Sequence, residues 1–342
     1  MKPVLYPWQQ ESWQQLQQLR ARLPHAILFY GTQGIGKTAF VETFAQSLLC
    51  ETPESDGHAC GVCEACGWFV QYSHPDYRRV RPEMLEEGDA SETEDDTEVK
   101  KTKSTKAPSK EIKIDQIRAL SDFLNVSTHR SGLRVITLYP AEALNTIAAN
   151  SLLKMLEEPP AHTMFLLVSN SIDHLLPTIL SRCRQFALPM PSSEQASSWL
   201  KMQEIKEADA WLSEQGGAPL AALAASQSGE REMLDEFLQL LRKPDAELVL
   251  KTAERLQKVA VGELVACQQR WLYDVLSVKL SGTIRYYPRY QKDLTALAQR
   301  TDSAVLLRSI KQLSDRRMIA THPLAPKLFI EDMLLDYLAL FS

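Results

Sequence analysis

Between the apolar run HAILFY and the amphipathic stretch TAFVETFAQSLL lies GTQGIGKT, residues 31–38, and no other segment limits the fold so tightly. Strand, glycine loop and helix in that order form the opening unit of a parallel α/β sheet. In a loop of the form G-x-x-x-x-G-K-[ST], glycines let backbone N–H groups turn toward phosphate oxygens, and the following helix presents its positive end. Gly31, Gly34 and Gly36 are therefore expected to shape a phosphate cradle. Lys37 would reach the β- and γ-phosphates of ATP, and Thr38 would hold its Mg²⁺. Two further runs, LRVITLY and TMFLLVSN, read as buried strands around the helix AANSLLKMLEE, which stops at Pro159 and Pro160. The alternation predicts a parallel sheet covered on both faces.

From about Pro189 onward strand patterns cease. EMLDEFLQLL, AELVLKTAERLQKV, LVACQQRWLYDVLSVKL, AVLLRSIKQL and KLFIEDMLLDYLALF all carry apolar residues at helical spacing, which predicts an α-bundle, and SEQGGAPLAALAAS is expected to join two helical units. Residues 83–110 show no apolar periodicity: an acid-dense half is followed by a basic one, the pattern of a disordered insertion. A chain of 342 residues exceeds what a single core usually serves, so two or three domains are expected. A net charge of −5 excludes a protein that coats DNA unaided. No apolar run approaches a membrane span, and MKPVLYPWQQ has neither the cationic start nor the apolar stretch of a signal peptide, so the expectation is a cytoplasmic chain with no membrane partner.

Four of the six cysteines crowd into CETPESDGHACGVCEAC, with spacing C-x9-C-x2-C-x2-C. In a reducing compartment such crowding points to metal rather than disulfides. Cys50, Cys60, Cys63 and Cys66 can close a tetrahedral Zn²⁺ shell with no open position, which suits a structural site. His58 is a spare ligand, expected at the surface. Cys183 and Cys267 are expected as packed small residues.

Hydrolysis requires more than a cradle. A Walker B acid on a neighbouring strand helps to hold Mg²⁺, and a second group orients the attacking water. The place for both is the end of LRVITLY, where Tyr139 and Pro140 stand instead of carboxylates. Glu142 is nearby but displaced in register, and Glu157 and Glu158 belong to a later helix. In ILSRCRQ, beyond the strand TMFLLVSN, Arg182 can point across a subunit boundary toward a neighbour's γ-phosphate.

Taken together, PHAILFYGTQGIGKT, the four-cysteine module, SHPDY, NSLLKMLEEPP and FLLVSNSIDHLLPTILSRC resemble the clamp-loader AAA+ family of bacterial DNA polymerase III, in its delta-prime branch. The resemblance covers residues 8–184 at motif level and implies three domains. These are a P-loop AAA+ domain (1–188) carrying the zinc module (50–66), a small helical lid (189–229) and an all-α collar (230–342) that oligomerises. It also implies a stator that supports ATP-dependent loading of a sliding clamp on primed DNA. The implied partners are gamma/tau motor subunits, a delta subunit and, through the complex, the clamp and primer-template DNA. Motor subunits carry an Asp-Glu pair where Tyr139 and Pro140 stand, and an arginine that contacts nucleotide where Leu220 stands. Two catalytic elements are thus missing, while the SRC motif that supplies an arginine finger in trans is whole, which assigns Arg182 the catalytic role. The intact GTQGIGKT departs from delta-prime chains with degenerate loops, and the charged insertion is longer than the family pattern. Two other readings compete: a self-sufficient motor ATPase, which YPAEALN does not equip, and a zinc-dependent nucleic-acid-binding module, for which GHACGVCEACGW lacks clustered basic residues.

Overall fold

The computed structural model describes residues 5–90, 108–125, 132–320 and 325–341, and the chain divides into two compact units, Met1–Met190 and Pro191–Ser342. The first unit is built on five strands: β1 (Ala26–Tyr30), β2 (Tyr77–Val80), β3 (Arg134–Leu138), β4 (Thr163–Ser169) and β5 (Arg184–Ala187). They form a wholly parallel sheet in the order β2-β3-β4-β1-β5. Among the described residues seven α-helices accompany them: α1 (Gln10–Gln18), α2 (Lys37–Leu49), α3 (Glu64–Val70), α4 (Glu83–Ala90), α5 (Ile114–Asn125), α6 (Thr146–Glu157) and α7 (Pro177–Leu180).

Alternate residues of β1 serve the two faces. Ile27 and Phe29 pack with Trp13 and Leu16 of α1 and with Phe40, Phe44 and Leu49 of α2. Ala26 and Leu28 pack with Ile117 and Leu120 of α5 and Leu152 and Leu156 of α6. Strands covered on both sides read as continuous apolar runs, as AILFY and TMFLLVS do. The sheet's two edges do not. In β2, Arg78 and Arg79 separate the buried Tyr77 and Val80, and in β5 only Phe186 is buried. Charged edge strands resist pairing with another chain, and the same residues hide them from a search for apolar runs.

In the second unit α8 (Ser193–Met202), α9 (Ala208–Glu214) and α10 (Pro219–Gln227) share a small core of Ala196, Leu200, Trp211, Leu212 and Ala222. A larger core lies among α11 (Arg231–Arg242), α12 (Ala246–Leu256), α13 (Val261–Ser281), α14 (Gln291–Arg300), α15 (Ser303–Ile319) and α16 (Pro326–Leu338). At its centre the Trp271 indole donates to the Tyr337 hydroxyl at 3.0 Å, which donates in turn to the Leu241 carbonyl at 2.5 Å. The fully buried Asp274 accepts backbone N–H bonds from Arg285, Tyr286 and Tyr287, fixing the link from α13 to α14. Among the described residues no helix is long and apolar enough to cross a membrane.

Two segments differ from the sequence reading. The stretch taken as an unstructured insertion begins with the helix α4. Glu83 starts it by accepting from the Ser109 N–H and from Lys113 Nζ, both at 2.9 Å, so side-chain bonds supply what the missing apolar period does not. The middle of that stretch, residues 91–107, lies outside the described residues. The segment SEQGGAPLAALAAS is more than a joint: Gly216 and Gly217, both at positive φ, make the turn, and Pro219–Gln227 is the helix α10 itself.

Candidate functional site

The glycine loop leaves the carboxyl edge of β1 and ends at Gly36, which begins α2 in a left-handed conformation, φ 85°. Among the described residues no side chain caps this helix, whereas Asn145 caps α6 and Ser192 caps α8. The first N–H groups of α2 are left for an external acceptor, which is how a helix end binds anions. A Cβ on Gly36 would come within 2.5 Å of the Tyr6 ring, so both the backbone conformation and the space demand glycine. Gly34, at φ 83°, turns the loop two residues earlier. At Gly31 a Cβ would lie 2.5 Å from the Leu188 carbonyl. The loop is held from outside by residues that sequence patterns did not single out for it. The Trp8 indole N–H donates to the Ile35 carbonyl, and the Gln9 amide donates to the Ile35 and Gly36 carbonyls, all at 3.0 Å.

Lys37 is 4% exposed, and its Nζ donates to the Thr32 carbonyl at 2.7 Å. Burial pulls its pKa down to about 8, against the upward pull of Glu142. An arriving phosphate would replace a neutral carbonyl by a charged acceptor, a stronger bond. Thr38 follows it in the first turn of α2, half-buried.

At the end of β3, Tyr139 and Pro140 supply no carboxylate. The Tyr139 side chain joins the core with α2, and its hydroxyl donates to Glu42 Oε1 at 3.2 Å. Burial, together with the Glu42 charge, raises its pKa. Glu42 also pairs with Arg79 at 3.7 Å, so this acid is engaged within the fold. Glu142 is placed differently from what its register suggested. After Pro140 the chain makes a single 3₁₀ turn, Ala141–Ala143, which brings residue 142 back over the strand end. Its Oε1 accepts the Asn170 N–H at 3.0 Å, and its Oε2 is buried with no hydrogen-bond partner among the described residues.

Arg182 lies elsewhere. Arg184 of β5 stands beside Ile27 of β1, so Arg182 precedes the amino edge of the sheet while the loop leaves the carboxyl edge after Tyr30. The separation along the strands is on the order of 15 Å. The Arg182 guanidinium meets Glu157 Oε1 at 2.5 Å and donates to the Thr178 carbonyl at 2.9 Å. The structure thus gathers Gly31, Gly34, Gly36, Lys37 and Thr38 at one edge with Glu142, and holds Arg182 at the other.

The four cysteines converge. Cys50 closes α2, Cys66 lies in α3, and all four Sγ atoms are within 4.8 Å of one another. Cys50 Sγ is 3.5 Å from Cys60 Sγ and 3.9 Å from Cys63 Sγ. A tetrahedron of thiolates with Zn–S bonds of about 2.3 Å has edges of about 3.8 Å, so the donor set fits Zn²⁺. The Cys60 N–H points at Cys50 Sγ and the Cys63 N–H at Cys60 Sγ, bonds that favour thiolate. A hydrogen bond from Thr52 and the N–H groups of Val62 and Cys63 pull Cys60 down to about 6. His58 is outside the cluster and stacks on Trp13, centroids 4.5 Å apart, while the Trp13 indole donates to the Asp56 carbonyl at 3.1 Å. The module is thereby fastened to α1. Cys183 and Cys267 are buried, and burial pushes their thiols up to about 12 and about 11.

A parallel sheet whose β1 runs into a glycine loop and an uncapped helix at its carboxyl edge defines a phosphate-loop α/β protein. The family model for the DNA polymerase III, delta subunit matches residues 8–192. The chain belongs to that family, and curated relatives similar to it are named delta-prime. The DNA polymerase III subunit delta-prime of Pseudomonas aeruginosa is 40% identical over 243 residues, 70% of this chain and 66% of that protein. The same-named subunit of Escherichia coli K12 is 32% identical over 242 residues, 69% of this chain and 65% of that protein. The matched stretches therefore cover just under two thirds of these relatives. The DNA polymerase III subunit tau of Salmonella typhimurium is 34% identical over 174 residues, 51% of this chain and 23% of that protein.

Proposed function

We propose that the chain is a stator-like clamp-loader subunit of DNA polymerase III, which binds nucleotide without cleaving it and lends Arg182 to a neighbouring motor subunit. The observation that carries this reading is the division of parts. The strand β3, whose carboxyl end lies at the same edge of the sheet as the phosphate loop, runs into Tyr139 and Pro140 rather than acids, and Arg182 lies at the sheet's opposite edge, out of reach of Lys37 in the same chain. An arginine in that position is too far from its own loop to act there, which supports a role on a nucleotide held by another chain. Curated relatives that include both delta-prime and tau subunits support assembly with gamma/tau and delta subunits, acting on the sliding clamp and primer-template DNA. In this reading residues 189–229 form the lid and residues 230–342 the collar through which subunits assemble. Cys50, Cys60, Cys63 and Cys66 would hold a structural Zn²⁺ whose chemistry is limited to folding the loop between α2 and α3.

Arg182→Ala tests the finger. The expected result is an assembled complex of normal composition whose DNA-stimulated ATPase falls by about 10³-fold or more, the scale of a trans-acting arginine. An unchanged rate removes the role.

A further inference from the structure

We propose that Glu142 is the metal-linked carboxylate of this phosphate loop, so that nucleotide enters together with a divalent cation although the two usual acids are absent. The inference rests on the reading that the loop binds nucleotide.

Position is the first argument. Tyr30 of β1 pairs with Ser169 of β4, so the next residues, Gly31 and Asn170, leave the sheet side by side. The Asn170 N–H donates to Glu142 Oε1 at 3.0 Å, which sets the carboxylate at the mouth of the loop. The influence of Glu142 on Lys37 agrees with that placement.

The second argument is an unmet demand. Glu142 Oε2 is buried without a hydrogen-bond partner among the described residues, and a carboxylate oxygen in that condition costs free energy until a cation or its water meets it. The other acid near the end of β3 is not in this condition. Glu42 is occupied by the Tyr139 hydroxyl and Arg79. Mg²⁺ asks for little from a protein: one or two carboxylates or hydroxyls, with phosphates and waters completing its octahedron. Glu142 and Thr38 would meet that requirement. One carboxylate committed to a cation and to the Asn170 N–H leaves no second acid to orient water, which accords with binding without turnover.

Calorimetric titration of the full chain with ATP, in Mg²⁺ and in EDTA, tests the assignment. Wild type should bind about tenfold or more tightly with Mg²⁺. In Glu142→Gln the gain should vanish. Its EDTA affinity should equal or exceed that of wild type, because a negative charge has left the loop. Glutamine retains an acceptor for the Asn170 N–H, and Glu142→Asp, which keeps the charge, should recover part of the gain. Mn²⁺ added with ATP should give a bound electron-paramagnetic-resonance signal in wild type and not in Glu142→Gln. A full Mg²⁺ gain in Glu142→Gln, or equal affinity with and without Mg²⁺ in wild type, overturns the role of Glu142 and leaves nucleotide binding standing. Wild type that binds no ATP in either condition overturns both.

Discussion

Lys37 combines two opposed pressures in one side chain. Burial disfavours its charge, Glu142 favours it, and the outcome is a pKa of about 8. An unfolded lysine titrates near 10.4, so the folded state is penalised below pH 8, and the penalty fades as pH rises toward 10. The consequence for binding has its own sign. Only the ammonium attracts phosphate, so ADP affinity should hold up to about pH 8 and fall about tenfold by pH 9, measured calorimetrically. Lys37→Arg, whose charge does not titrate in this range, should flatten the profile even if it binds less tightly. At the other edge Arg182 is paired with Glu157, and both side chains are partly open to solvent. Such pairs are worth roughly 0–1 kcal/mol, so a phosphate can draw the guanidinium away at little cost.

Among the elements, the turn between α2 and α3 gathers the one set of donors that a metal ion would close among the described residues. Four thiols gathered within 4.8 Å repel one another when ionised, and a bound Zn²⁺ would convert that repulsion into a closed shell. Purified protein should carry about one zinc per chain. Cys63→Ser should lose it and lower the thermal midpoint by several degrees, read by elemental analysis and a melting scan. The Cys spacing announced this module because a metal imposes local geometry, and β1, β3 and β4 announced themselves by apolar runs. Edge strands β2 and β5 carry arginines where such runs would be, so they surface only through pairing. The start of α4 depends on Glu83 reaching Ser109 across 26 positions, and the place of Glu142 on Asn170 across 28. Distant hydrogen bonds leave no periodic trace, which is why Glu142 read as out of register.

For the whole molecule, the absence of two acids after β3 predicts that the purified chain releases no phosphate from ATP at any protein concentration. Steady release lost in Thr38→Ala would point instead to a self-sufficient motor. Release growing faster than linearly with concentration would mean that one copy completes another's site. The sheet's parallel strands give these parts a direction, since the loop lies at one edge and Arg182 at the other. A contact that matches the Arg182 edge of one chain to the loop edge of the next joins unlike surfaces, and such joints extend a row head to tail rather than closing a two-fold pair. A row of this kind has a first member that gives without receiving, and a chain that carries an arginine at one edge and a phosphate loop without its acids at the other would suit that terminal place.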